Sequence, residues 1–204
     1  YGNGTLGDMG CHHLDLPFWA LDLRHPESVK AEGPTVDPER TPEWLTVEYR
    51  FAARGSQPPV KVVWTDGDQL PFILKEVDAP QWSAGNLFVG EKGCLLADYS
   101  RWMLLPDTDE INFRNFKAPE KSIPDSIGHY NEWLRACRTG ESTSCHFGYA
   151  GALTESVLLG TVAYRTGKTL TWDPVGMRAV GSPEADALLR REWRNGWTRR
   201  TSGR

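Results

Sequence analysis

Between residues 28 and 105 the chain consists of short segments of strand composition that follow one another through turns, without a helical pattern between them. In LTVEYRF, for example, apolar and polar residues alternate as in a strand with one buried face. Strands joined by short turns pair in antiparallel fashion, whereas parallel strands need long crossover connections. Helical patterns dominate the later part of the chain. The sequence therefore predicts an α+β fold, with an open, mostly antiparallel β-sheet and helices packed on one face.

Individual elements follow from periodicity and turn residues. Strands are predicted in ESVKAEGPTV, EWLTVEYRFAAR, VKVVWTDG, NLFVGEKGCLLADYS, RWMLLP and TLTWD, the fourth segment forming two strands around a turn from Gly90 to Gly93. Helices are predicted at 126–138, at 149–165 with Gly167 as its cap, and from Ser182 to about Trp193. Residues 68–84 are expected to be irregular, and residues 107–124 to form a long polar loop.

Size and charge limit the possible organisation and partners. With 204 residues, of which 39% are hydrophobic, residues 1–197 are expected to form one domain and residues 198–204 a disordered tail. The net charge of −4 comes from scattered acids and bases, which argues against nucleic acid as a partner, and no apolar run reaches membrane length. Nine tryptophans indicate a large aromatic surface, in a core, a subunit interface or a sugar-binding wall.

The stretch GDMGCHHLD, from Gly7 to Asp15, concentrates polar chemistry near the start of the chain. The apolar spacing from Leu6 to Leu23 predicts a short helix that bends or restarts at Pro17. On such a helix one polar stripe contains Asp8, His12, Asp15 and Trp19. His13 is rotated by about 100° from this stripe, so the two histidines are not expected to serve the same ligand.

Two interpretations of the stripe remain open. A carboxylate one turn before an imidazole, as in Asp8 and His12, can hold the tautomer and raise the basicity of a general base that works near neutral pH. Alternatively, Asp8 caps the helix and His12 bonds to a neighbour. His129, at the start of HYNEW, either lines a cleft or is a structural histidine at a helix start.

Metal and thiol chemistry are weaker alternatives. A metal site would use His12, Asp15 and Cys11, with His129 or His146 as a further ligand, and we expect none. A nucleophilic Cys11 activated by His12 is disfavoured because adjacent side chains on a helix diverge. The four cysteines form no CxxC pair, so a structural zinc site is not expected. The thiols are expected to be reduced.

GTLGDMGCHHLDLPFWAL resembles the segment that follows the Rossmann domain in the Gfo/Idh/MocA oxidoreductases, whose DxGxHxxD pattern it satisfies. The segments PPVKVVWTDG, LFVGEKGCLL, FKAPEKSIP, GHYNEWLRAC, YAGALTESVLLGTVAYRTGKTLTWD and LRREWRNGW resemble, in order, the C-terminal domain of a bacterial branch of that family. The resemblance thus covers nearly the whole chain and implies a C-terminal domain of the dihydrodipicolinate-reductase-like type, without the N-terminal Rossmann domain.

The resemblance implies an NAD(P)-dependent oxidoreductase that acts on hydroxyl groups of sugars, polyols or related compounds. Position by position, His12 resembles the catalytic histidine, Asp8 the aspartate that supports it, and Asp15 a nearby substrate-binding aspartate. His129 is the further candidate for substrate binding. His13 matches a variable position. The expected partners are a small carbohydrate-like substrate and further copies of the chain, which would meet through the open face of the sheet.

The cofactor, NAD or NADP, is expected to bind mainly to the domain that is absent here. The N-terminal glycines in GNGTLG have the GxGxxG spacing, but no strand of the chain precedes them, and Glu120 and Lys121 in APEKSIP do not reproduce the family's EKP motif. The isolated chain is therefore expected to hold no cofactor tightly and to be inactive. Two alternatives stay open: an NAD-dependent glycoside hydrolase of the same family, and a non-catalytic assembly or carbohydrate-binding domain.

Overall fold

The computed structural model describes residues 3–106, 108, 113–191, 193–194 and 197. Its helices are α1 (Gly4–His13), α2 (Asp15–Ala20), α3 (Ile73–Glu76), α4 (His129–Thr139), α5 (Phe147–Thr166) and α6 (Pro183–Leu189). Its strands are β1 (Ser28–Glu32), β2 (Thr46–Phe51), β3 (Val60–Thr65), β4 (Asn86–Gly90), β5 (Gly93–Ala97), β6 (Trp102–Leu105), β7 (Leu170–Asp173) and β8 (Arg178–Ala179). The chain divides into two compact units. The first comprises Tyr1–Asp8, His25–Gln69 and Ser156–Arg204, and the second Met9–Arg24 and Leu70–Glu155.

The first unit contains a five-stranded antiparallel sheet in the order β3-β2-β1-β7-β8. Because successive side chains of a strand point to opposite faces, β2 buries Val47, Tyr49 and Phe51 and turns its polar residues the other way. On the buried face, Val47 pairs with Trp64 of β3 and Tyr49 with Val29 of β1. The predicted alternation along LTVEYRF is confirmed.

Helices cover the buried face of this sheet. A side-chain carbon added at Gly160 of α5 would lie 2.5 Å from the hydroxyl of Tyr49, 2.7 Å from Leu6 of α1 and 3.3 Å from Val47. The backbone of α5 therefore approaches the sheet more closely than any residue with a β-carbon would allow. The predicted α+β class, with an open antiparallel sheet and helices on one face, is confirmed.

The opposite face of this sheet is open and carries charges of both signs. Lys30 and Glu32 form an ion pair of 2.6 Å within β1. Glu48 of β2 forms an ion pair with Arg50 at 2.6 Å and a second one with Lys61 of β3 at 4.0 Å. Such exposed pairs add little stability, so this face is defined by its charge pattern rather than by packing.

The second unit contains a three-stranded antiparallel sheet in the order β4-β5-β6. Gly90 and Gly93 close the first hairpin, as predicted. The core of this unit is formed by buried Cys94, Leu96 and Leu105, against which further half-buried apolar side chains pack, including that of Trp82. Thus the predicted strand block forms two separate sheets.

Several boundaries differ from the prediction, mostly where elements are short. α3, of four residues, lies in the segment predicted to be irregular, because one turn of helix shows no periodicity. β8 was not predicted because two residues are too few to show the alternation of a strand. α4 begins three residues later than predicted, and α6 ends at Leu189 rather than near Trp193. The predicted tail, 198–204, lies outside the described residues, as does part of the polar loop 107–124.

The prediction that the first helix restarts at Pro17 is wrong. The interruption falls at Leu14, and α2 begins at Asp15, so that Pro17 is the third residue of α2. In the first turn of a helix the backbone N–H groups have no intrahelical acceptor, so a proline costs little there. The junction is tight, since the N–H of Leu14 still donates to the carbonyl of Gly10 at 2.9 Å.

Candidate functional site

The helix pair α1 and α2 separates an apolar side from a polar one, as the spacing predicts. Leu14 and Phe18 are buried, whereas four residues of the predicted stripe are exposed: Asp8, His12, Asp15 and Trp19. Trp19 leaves 59% of its surface accessible, which is unusual for an indole that could pack in a core. Asp8 ends the first segment of the first unit, and the site described below consists of residues of the second unit.

His12 presents its imidazole to solvent near the end of α1. Within the described part of the chain, the side chains of His12 and of Asp8 form no hydrogen bond and no ion pair. The accessible ring can still accept a proton from a hydroxyl group placed beside it.

His13 has a different environment from its neighbour. It is half-buried, and its ring lies 5.7 Å from the ring of Tyr99 at a tilt of 42°. Burial lowers the pKa of His13, and the nearby charge of His12 lowers it further. His13 is therefore held neutral against an aromatic neighbour, while His12 faces solvent.

Asp15 is held by a residue that the sequence did not single out. The hydroxyl of Tyr149, in the first turn of α5, donates to Oδ1 of Asp15 at 2.6 Å and lies 3.2 Å from the backbone carbonyl of the same residue. The guanidinium carbon of Arg24 lies 5.7 Å from the centre of the Tyr149 ring. The pKa of Tyr149 is raised above its ordinary value of 10.0, first by burial and then by the hydrogen bond to Asp15.

The remaining candidates lie apart from this pair. His129 opens α4 and stacks on Tyr130 with ring centres 4.2 Å apart. Among the described residues, no hydrogen bond, ion pair or ring contact links His129 to His12 or Asp15. The structure thus brings Asp15 together with Tyr149, and it leaves His129 as a separate exposed side chain.

The four cysteines differ in their surroundings and exposure. Cys11 has its sulfur 3.8 Å from the hydroxyl of Thr154, and not beside His12. All four cysteines carry free thiols, of which Cys94 is buried, Cys137 and Cys145 are exposed and Cys11 is half-buried. These positions give no support to a nucleophilic Cys11.

The positions of the metal-ligating side chains and of the N-terminal glycines bear on metal and nucleotide binding. In the part of the chain that the structure describes, no group of three or more His, Cys, Asp or Glu side chains is placed to hold a metal ion. The N-terminal glycines Gly4, Gly7 and Gly10 lie within α1, and no described strand precedes α1. These glycines therefore do not form the strand, glycine loop and helix that hold a dinucleotide.

Membrane-spanning segments and similarity to known proteins provide further information on the function of the chain. No described helix combines the length and apolar character that crossing a bilayer requires. No protein-family model matches this chain, and neither does any curated protein.

Proposed function

We propose that this chain is the substrate-binding and proton-accepting domain of an NAD(P)-dependent oxidoreductase that acts on hydroxyl groups of sugars, polyols or related compounds. The observation that carries the proposal is the exposed stripe on α1 and α2, in which the accessible imidazole of His12 precedes the carboxylate of Asp15. The resemblance to the Gfo/Idh/MocA oxidoreductases supports the same assignment, because its motif falls on these residues.

The chain's own residues would handle the proton and the substrate. His12, as a neutral imidazole, takes the proton of the reacting hydroxyl, and Asp15 accepts a hydrogen bond from a neighbouring hydroxyl. The exposed indole of Trp19, one helical turn after Asp15, offers an apolar face to the C–H groups of a sugar ring. The resemblance implies a supporting role for Asp8, which precedes His12 by one helical turn in the sequence of α1.

The nicotinamide cofactor would accept hydride from the substrate carbon. The cofactor would be held by a further domain, as the resemblance implies, since the N-terminal glycines lie within α1 and form no glycine loop. The chain alone is then expected to bind NAD or NADP weakly and to show no turnover.

The test uses the full-length polypeptide, with the nucleotide-binding domain that the resemblance implies. Reduction of NAD⁺ and NADP⁺ is followed with a panel of aldohexoses, hexose phosphates and cyclitols. His12→Gln should lower kcat by about 10²- to 10⁴-fold, the usual contribution of a general base. His25→Gln, at an exposed histidine outside the stripe, is the matched control and should keep full activity.

The outcomes separate the enzymatic alternatives. Full turnover in His12→Gln on an accepted substrate would show that His12 is not the base. Release of sugar from a glycoside without net formation of NADH would identify the hydrolase alternative, which rests on the same resemblance. No turnover with any substrate or glycoside would reject the enzymatic proposal.

A second candidate function is assembly, which the outer face of the five-stranded sheet favours. This face is open and carries both lysine or arginine and glutamate, so that it is complementary to a second copy of itself turned by 180°. We propose that the chain forms homo-oligomers through this face. Sedimentation velocity at increasing concentration tests the proposal, and a monomer at all concentrations would contradict it.

A further inference from the structure

Tyr149 connects two segments that are far apart in sequence, the first turn of α5 and the first turn of α2. Its hydroxyl donates to Oδ1 of Asp15 at 2.6 Å, across 134 positions of the chain. This distance lies in the range of hydrogen bonds between a hydroxyl and a carboxylate, which are stronger than those between neutral groups. The contact thus restrains a side chain that would otherwise move freely on the surface.

We propose that Tyr149 is a positioning residue, which holds the carboxylate of Asp15 in one orientation so that its second oxygen can accept a hydroxyl group of the substrate. This inference rests on the proposed function, in which Asp15 binds substrate. Among the described residues, no hydrogen bond or ion pair ends on Oδ2 of Asp15. One oxygen is therefore fixed by the protein and the other remains available.

The tyrosine is itself restrained from two sides. Three and four residues after it, Ala152 and Leu153 are each only 5% exposed and anchor the start of α5. On the ring, the guanidinium of Arg24 lies 5.7 Å from the centre, a cation–π distance. Arg24 is in turn fixed by an ion pair of 3.1 Å to Asp22 and by a hydrogen bond of 2.9 Å to the carbonyl of Leu23.

Electrostatics make Tyr149 a donor rather than an acid or base. Burial raises its pKa, and so do the hydrogen bond to Asp15, the charge of Asp15 and the nearby thiol of Cys145, while Arg24 lowers it. The phenol therefore keeps its proton over the whole range in which His12 can work as a base. Its contribution is to the geometry of Asp15 and not to proton transfer.

The first arm of the test needs no substrate and uses the chain as it stands. The three-bond coupling between the backbone nitrogen and Cγ of Asp15 reports the χ1 rotamer of this side chain. In the wild type this coupling should have the value expected for a single χ1 rotamer. In Tyr149→Phe it should have an intermediate value, because the side chain of Asp15 then exchanges among rotamers. Tyr99→Phe, which removes a hydroxyl from an exposed tyrosine and keeps its ring, should leave the coupling unchanged. The same coupling in wild type and Tyr149→Phe would overturn the proposal.

The second arm uses the full-length polypeptide and the best substrate of the sugar and cyclitol panel. Tyr149→Phe should raise KM about 3- to 10-fold, the effect of a weakened hydrogen bond to a partly exposed charged group, while kcat stays within about twofold. An unchanged KM, or a fall in kcat alone, would overturn the positioning role. If the wild type turns over no substrate, the oxidoreductase proposal fails, while the Asp15 coupling still decides whether Tyr149 orders the carboxylate.

Discussion

At the scale of single residues, the phenol of Tyr149 should remain protonated at a pH where exposed tyrosines have ionised. Its pKa is raised above 10.0 in the folded state, chiefly by burial and by its bond to Asp15. For such a group the contribution to stability is fully present below the unfolded pKa and is lost as pH rises through the folded pKa. Above about pH 10, the wild type should therefore lose stability more steeply than Tyr149→Phe.

Carbon-13 NMR of the tyrosine Cζ atoms measures this directly. At pH 11 the signal that disappears in Tyr149→Phe should still have the shift of a neutral phenol. In Asp15→Asn the Tyr149 signal should titrate at lower pH, because the carboxylate charge is gone. An equal titration midpoint of Tyr149 in the wild type and in Asp15→Asn would contradict the assigned hydrogen bond.

Helical spacing predicts which residues share one side of a helix, but it does not predict their partners from distant parts of the chain. The spacing of Asp8, His12 and Asp15 predicts a common exposed side, because helical geometry fixes which residues face together. It also separates His12 from His13, which the structure places in different surroundings. Tyr149 was not predicted as a partner of Asp15, since no local periodicity relates residues 134 positions apart. The roles proposed for His12, Asp15 and His129 remain predictions.

At the scale of elements, the close approach of α5 to the sheet gives a stability prediction. In Gly160→Ala the added carbon would meet Tyr49 and Leu6 at less than 3 Å, and both are buried. Overpacking of this kind costs about 1–3 kcal/mol, which exceeds the gain in helix propensity. Urea unfolding should therefore show a less stable protein.

Gly151→Ala, in the same helix, is the matched control. Apart from its chain neighbours and the backbone of its own helix, no described atom lies within 4 Å of the added carbon, so only the helix propensity changes and stability should rise by about 0.5–1 kcal/mol. Equal stabilisation by both substitutions would show that α5 does not approach the sheet as described.

Elements of more than one turn with clear patterning were predicted well. Seven of the eight strands and the helix α5, capped by Gly167 at φ 63°, follow from alternation, apolar spacing and turn residues. α3 and β8 were missed because four and two residues carry no period. The break was predicted at Pro17 because a proline inside a helix removes a hydrogen bond, but it falls at Leu14, which puts Pro17 in the first turn of α2, where a proline is tolerated.

At the scale of the whole molecule, assembly through the open sheet face should depend on charge. Lys61 lies on this face, 4.0 Å from Glu48. If two copies meet there, Lys61→Glu should weaken association about tenfold, because it places like charges opposite each other, and added salt should reduce the difference. Lys121→Glu, at a residue 90% exposed outside the sheet, should sediment like the wild type. Identical sedimentation of both variants would contradict this interface.

The fold class could be predicted at this scale, but the number of sheets could not. Short connections require antiparallel neighbours, and this holds in both sheets. That β4, β5 and β6 form their own sheet depends on which strands share a core, and that is decided by contacts distant in sequence. β7 joins β1 across more than 130 residues, an association that no local pattern specifies.

The order of the five strands also limits how the sheet can grow. β3 and β8 are its outermost strands. Proline at positions 58 and 59 stands immediately before β3, and the exposed ammonium of Lys61 lies within it, both of which oppose the addition of another strand. β8, with two residues, offers almost no template. Both edges thus oppose open-ended strand addition and aggregation, which agrees with the proposed association through the face of the sheet rather than through its edges.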